Sequence, residues 1–233
     1  MSVFSRALRF STKDLKQDLT LVWTFDDIKS NPRLYKDQLP VCFMSCTFEA
    51  QGEYWVEFNY NSQLSFTRPQ VINNKILGAG AYVDINAGQQ TTLTAINVPQ
   101  FSDAVDDATL PYGFFKAVNK SGKLQNIAVA TRIDPEGQPI PVLFFQNVEH
   151  ASSVETTFIP VLRLHAFSEY PKTAIIREPT DSLVIWSQDL ARLSKEKNSF
   201  VITRDARGTF HVTPSVSPCG LASISRSVKI LTA

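Results

Sequence analysis

The sequence predicts a mainly β fold: an antiparallel β-sandwich, in one lobe or in two similar ones. Three observations lead there. Aromatic residues make up 11% of the chain, with sixteen Phe, and large aromatic side chains favour strands. Alternation with a period of two recurs; at 54–60, Tyr54, Val56, Phe58 and Tyr60 share one face and Trp55, Glu57 and Asn59 the other. Finally, Leu39-Pro-Val-Cys-Phe43 is echoed by Ile140-Pro-Val-Leu-Phe144. Each follows an apolar run that closes on an acid, Asp26 or Asp134, and each run reads as a strand paired with the stretch after it.

At the N-terminus, Val3, Phe4, Ala7, Leu8 and Leu15 recur at roughly helical spacing, with Arg6, Arg9, Lys13 and Lys16 between them. The expectation is a basic amphipathic arm over 1–16 that the fold can lose. Phe4, Arg6, Leu8 and Arg9 are its candidate contacts to an anionic membrane surface. Four Ser/Thr and no acid before Asp14 also suit a mitochondrial presequence, the alternative to a cytoplasmic location. No stretch approaches the roughly eighteen apolar residues of a membrane span.

A first strand is expected at 19–25, then a loop framed by Pro32 and Pro40, then a strand at 41–49. Residues 54–60 form the next, with a turn at 61–63. Strands 79–86 and 91–98 read as a pair around Asn86-Ala-Gly88. The acidic stretch 99–111 reads as a linker or long loop. Strands 126–133 and 138–146 meet through Asp134-Pro-Glu-Gly137, where Pro suits the second turn position and Gly can take φ > 0. Alternation continues at 156–167, with Leu162, Leu164 and Ala166 opposite Val161, Arg163 and His165. Ser187 is placed as N-cap of a short C-terminal helix reaching about Lys197, with Leu190 and Leu193 on its buried side. A hairpin at 200–204 and 209–213 follows, with Phe200, Ile202, Phe210 and Val212 inward and His211 outward. The domain reading is an arm at 1–16, a β lobe at 17–110 and a second β lobe with the short helix at 111–233. The alternative is one sandwich over 17–233.

Composition excludes several function classes. Net charge is +1, and 23 Lys/Arg against 22 Asp/Glu leave no basic surface of the kind that neutralises many phosphates, so nucleic acid is not expected as a partner. His150, His165 and His211 stand alone, without the short spacing of a metal site, and no metal or other cofactor is expected. The chain has no Gly-x-Ser-x-Gly, no dinucleotide fingerprint and no P-loop, and no catalytic residue can be named. Asp26 with Asp27, and Asp103 with Asp106 and Asp107, read as solvated loops. Trp55, Tyr82 and Trp186, with Arg163 and His165, are the candidate ligand-binding residues, because rings beside polar groups suit a glycan or a lipid headgroup. They also suit a protein contact, and for any one of the rings packing under the second sheet is the stronger expectation.

The leading expectation is therefore a non-enzymatic, lectin-like or membrane-binding protein in a defensive role, recognising glycans or membrane lipids and able to form a homo-oligomer. The alternatives are an assembly protein, such as a jelly-roll shell subunit, and an enzyme with a pocket in a β-barrel mouth. An open aromatic shelf favours the first, broad apolar faces the second, and a deep apolar pocket the third. Cys42 and Cys46 are four apart, about 13 Å along a strand and too far for a bridge, and Cys219 completes an odd count. All three should titrate as free thiols after denaturation without reductant; a bridge would overturn both this packing and the cytoplasmic expectation.

Overall fold

The structure, a computed structural model, describes residues 3–95, 97–166, 170–179, 183–215 and 226–227. Strands take up 58% and helix 1%. In chain order the strands are β1 (Ser5–Lys13), β2 (Leu19–Thr24), β3 (Leu39–Pro40), β4 (Met44–Phe48), β5 (Glu53–Ile72), β6 (Lys75–Ile85), β7 (Gln89–Thr94), β8 (Gln100–Phe101) and β9 (Val105–Asp106). There follow β10 (Phe115–Asn119), β11 (Gln125–Arg132), β12 (Ile140–Val148), β13 (Ser153–Thr156), β14 (Val161–Ala166), β15 (Leu183–Asp189), β16 (Lys197–Arg204), β17 (Phe210–Pro214) and β18 (Arg226–Ser227). They form a β-sandwich, with no barrel.

The largest sheet has the order β17-β16-β1-β5-β11-β12-β3, with β6 and β18 also paired to β5. β5 is 20 residues long and serves several neighbours in turn. β1 takes residues 53–61 on one edge, and β6 and β11 share residues 65–67 from opposite edges. A sheet ordered β15-β14-β2-β4 and one ordered β13-β10-β7-β8, with β9 on β7, complete the set. One core cluster draws on all three sheets. Phe10 of β1 meets Trp23 of β2 and Trp186 of β15, each at 5.3 Å between ring centroids, and stacks on Phe200 at 5.2 Å. Phe66 of β5 meets Phe115 of β10 at 5.3 Å, which ties on the third sheet. The outer face of β6, β11 and β12 buries Ile76, Ala128 and Phe144 against Ile175. The segment carrying Ile175 is held by Asn74 Nδ2, which donates to the Ile175 carbonyl, and by Arg177, which donates to Asn74 and Gln146.

The two expected pairs form, β2 with β4 and β11 with β12, and the echoing stretches also pair with each other, Leu39 with Phe144 and Pro40 with Leu143. β5 and β11 pair as well, so main-chain hydrogen bonds link residues before 110 with residues after it.

Several expectations need correction. The N-terminal stretch is not an amphipathic arm: 5–13 is an inner strand, paired in parallel with β16 on one side and antiparallel with β5 on the other. Leu8 and Phe10 are both 0% exposed. Its apolar residues fit a helical period over so short a span, but a period of two decides, because both neighbours satisfy its backbone and bury alternate side chains. Arg9 points to the other face and lies over the Trp55 ring, 4.5 Å from its centroid. The helix expected from Ser187 to about Lys197 does not form. Ser187 pairs with Arg163 inside β15, and Asp189 caps a single 3₁₀ turn, Leu190–Arg192, before β16 begins. The turn at 61–63 is absent too; β5 runs through, and Asn61 bends it locally by accepting from the Gln63 N–H. β6 and β7 do not pair. The turn between them, where Gly88 sits at φ +83°, sends the chain into another sheet. The stretch 99–111 contains β8 and β9.

Cys42 and Cys46 are free and buried, and burial pushes both thiols up to about 12; Cys219 lies outside the described residues.

Because β1 separates β5 from β16, Leu8→Ala should cost about 3 kcal/mol in urea denaturation, and a chain starting at Gln17 should not fold cooperatively. A truncated chain that melts like the full one would show that β1 is dispensable.

Candidate functional site

A buried polar cluster forms around Asp26, on the outer face of the four-stranded sheet. Register explains it. Arg163 pairs with Thr24 and His165 with Val22, so Thr24, Arg163 and His165 share a face, while Trp23 and Leu164 face the core. Asp26 follows two residues after Thr24, and Tyr35 reaches it from the loop between β2 and β3. Asp26 is 2% exposed, so the reading of it as part of a solvated loop is corrected.

Its carboxylate is well satisfied. Oδ1 accepts from Thr24 Oγ1 at 2.7 Å and from His165 Nε2 at 3.1 Å, and it lies 3.4 Å from Arg163 Nη1. Oδ2 accepts from Tyr35 Oη at 3.1 Å. Thr24 Oγ1 commits its proton to Asp26 and sits 3.1 Å from the same His165 nitrogen, so Nε2 must carry a hydrogen. Burial alone would raise the Asp26 pKa, but His165, Arg163 and Thr24 together hold it below the ordinary value. Burial and the Asp26 charge push the Tyr35 phenol far up, so it stays a donor.

The cluster contains a Thr, a His and an Asp, but not in a catalytic arrangement. Thr24 is fully buried, and its hydroxyl points at the carboxylate and not at a cleft. What the cluster does is hold the loop between β2 and β3. The same loop is fixed further along, where Gln38 accepts from Asn31 Nδ2 and donates to Thr156 Oγ1 of β13, and Arg33 donates to the Glu155 carbonyl.

The candidate ligand residues do not gather into one site. Arg163 and His165 belong to the Asp26 cluster. Trp186 packs in the core against Phe10 and Phe200. Trp55 lies under Arg9. Tyr82 lies beside Arg132, which in turn pairs with Asp84, itself bound by Ser65. Of the proposed membrane contacts, Leu8 is in the core and Arg6 lies over the Phe4 ring.

A cleft lined by Arg68, Pro69, Leu124, Gln125, Asn126 and Asn147 measures about 180 Å³ and is mostly polar. That is below the roughly 300 Å³ at which small-molecule pockets begin. Among the described residues no cluster of His, Cys, Asp and Glu could hold a metal ion. No helix among them is long and apolar enough to cross a membrane. Comparison with protein-family models, with curated proteins and with solved structures finds no match. Sequence reading missed Asp26; the signal available was its place two residues beyond a strand that pairs with the strand carrying Arg163 and His165.

The Asp26 pKa is lowered on folding, so the carboxylate contributes stability that is complete above its unfolded value near pH 4 and is lost as pH falls through the folded value. Asp26→Asn should cost about 3 kcal/mol at pH 7 and should flatten the acid limb of the stability–pH curve. Urea titrations of both proteins between pH 7 and pH 2 check this; parallel curves would show that Asp26 is not the group responsible.

Proposed function

We propose that the chain is a non-enzymatic assembly protein that joins copies of itself head to tail. The observation that carries this reading is the edge of the five-stranded sheet formed by β8, β9 and the loop after them. Tyr112 is 94% exposed there, and Val98 and Val105 are 66% and 53% exposed. β8 and β9 are two residues each and, among the described strands, pair only with β7, so neither has a second strand beside it. Exposed rings and β-branched residues on an open sheet edge suit a protein partner.

Charge indicates which partner. Residues 97–112 carry Asp103, Asp106 and Asp107 and no Lys or Arg. Residues 192–207, which include β16 of the large sheet, carry Arg192, Lys195, Lys197, Arg204 and Arg207 against Glu196 and Asp205. That region flanks β17, the edge strand of the nine-stranded sheet. An acidic edge and a basic edge on one molecule fit each other in a second copy. Because the two patches differ, the contact is heterologous and generates a ring or a filament. The glycan or lipid reading has weaker support, since its candidate residues are separate and each is engaged within the fold.

Sedimentation at increasing protein concentration should show a rise in mass that weakens with added salt. Tyr112→Ser combined with Val105→Ser should weaken the association at least about tenfold, as loss of a hot-spot aromatic does. Arg207→Glu should weaken it too. A monomer at every concentration in low salt, or association indifferent to all three changes, would sink the proposal.

A further inference from the structure

Three strand ladders become irregular at one place. β5 and β11 pair as far as Thr67 with Ala128. One step further Pro69 would face Asn126, but proline has no N–H to donate. On its other edge β5 shifts register against β6 between Arg68 and Pro69, and β11 shifts against β12 between Gln125 and Ile127. Such irregularities bend a strand and re-aim its side chains. Here they border the polar cleft of about 180 Å³ lined by Arg68, Pro69, Leu124, Gln125, Asn126 and Asn147.

The polar groups of the cleft are held in place. Arg68 Nε donates to Gln125 Oε1 at 2.9 Å, and Gln125, 4% exposed, donates from Nε2 to Ser121 Oγ at 3.1 Å. Ser121 Oγ donates in turn to the Lys123 carbonyl. Buried Asn119 pins that loop, its Nδ2 donating to the Lys123, Val148 and Glu149 carbonyls. Asn147 stands at φ +56°, a conformation that Asn tolerates, and its N–H donates to Asn126 Oδ1 at 3.0 Å. That bond fixes Asn126 Nδ2 as a donor. The guanidinium of Arg68 is anchored through Nε alone: among the described residues it makes the Gln125 bond and no ion pair, and both η nitrogens keep their protons for another acceptor.

We propose that this cleft binds a carboxylate group, from a small aliphatic acid or from an acidic side chain. The two η nitrogens form a planar fork that matches the two oxygens of a carboxylate. Arg68 is the one charged residue of the lining, so it balances a single negative charge. A phosphate monoester, which carries close to two, would be left half unbalanced. The Asn126 and Asn147 amides offer donors to the remaining lone pairs. Pro69 and exposed Leu124 give a short carbon stem an apolar margin. The volume admits one such group and its stem but not a drug-sized ligand. None of these residues belongs to the edges invoked for assembly, so this site stands or falls separately.

Acetate titrated into the isotope-labelled full-length chain, followed by side-chain NMR with chloride at matched ionic strength as reference, tests the site. The Arg68 Nε–H signal and the side-chain amides of Asn126 and Asn147 should shift and saturate with acetate and not with chloride. Arg68→Lys keeps the charge and loses the fork, and should weaken acetate binding at least about tenfold with the backbone spectrum otherwise unchanged. Asn147→Gly keeps the positive φ and removes one amide, and should weaken it at least about twofold. Inorganic phosphate and sulfate should bind more weakly than acetate. A short peptide amide with one Asp separates the two sources: tighter binding than acetate assigns the site to an acidic side chain, and weaker binding assigns it to a small acid. Shifts that stay linear or follow chloride, phosphate or sulfate held as tightly as acetate, or acetate affinity that ignores Arg68→Lys would overturn the proposal.

Discussion

A strand of 20 residues exposes donors and acceptors on both edges along its whole length, and that need for partners organises this molecule. β5 meets it with different neighbours at different levels. The first half lies against the N-terminal strand, the second between its own hairpin partner and β11. Side chains follow the same division. Val56, Phe58 and Tyr60 form one wall of the core with Phe10, and Phe66 carries that wall on to the third sheet. Changes near Phe10 should therefore be felt in two sheets at once, because its ring touches side chains of both.

The second constraint is a buried charge. Asp26 would be costly in isolation, but three side-chain donors and a nearby guanidinium make it a clamp for the loop after β2. A buried Thr, His and Asp in contact invite a catalytic reading, and burial together with hydrogen-bond direction decides against it. Chemistry needs a nucleophile that a substrate can reach; here the hydroxyl is an internal donor.

Much of the fold could be read from the chain because alternation is a strong local signal where one face is buried. The hairpins 126–146 and 200–213 and the inward set Phe200, Ile202, Phe210 and Val212 follow from it directly. Other parts could not be read locally. Residues 5–13 are too few to separate a period of 3.6 from a period of two, and what makes them a strand lies some 190 residues away in β16. Ser187 resembles an N-cap until its partner Arg163 is known. Turn residues at 86–88 mark a reversal but not which sheet the chain enters next. The Asp26 cluster was legible only in fragments, since it depends on the register of β2 against β14.

The parallel pairing of β1 with β16 also bears on the order in which the chain can fold. As a ribosome releases the protein, β1 and β5 can pair early, but the other edge of β1 waits until residues 197–204 emerge. Until then Leu8 and Phe10 lie beside an uncompleted ladder, and Phe10 lacks both Phe200 and Trp186. Closing so distant a contact is slow, and an open apolar strand edge in the meantime invites pairing with a neighbouring nascent chain. The yield of native protein in a cell should thus depend on how quickly the last third of the chain follows the first, and a pause in translation before β16 would favour misassembly.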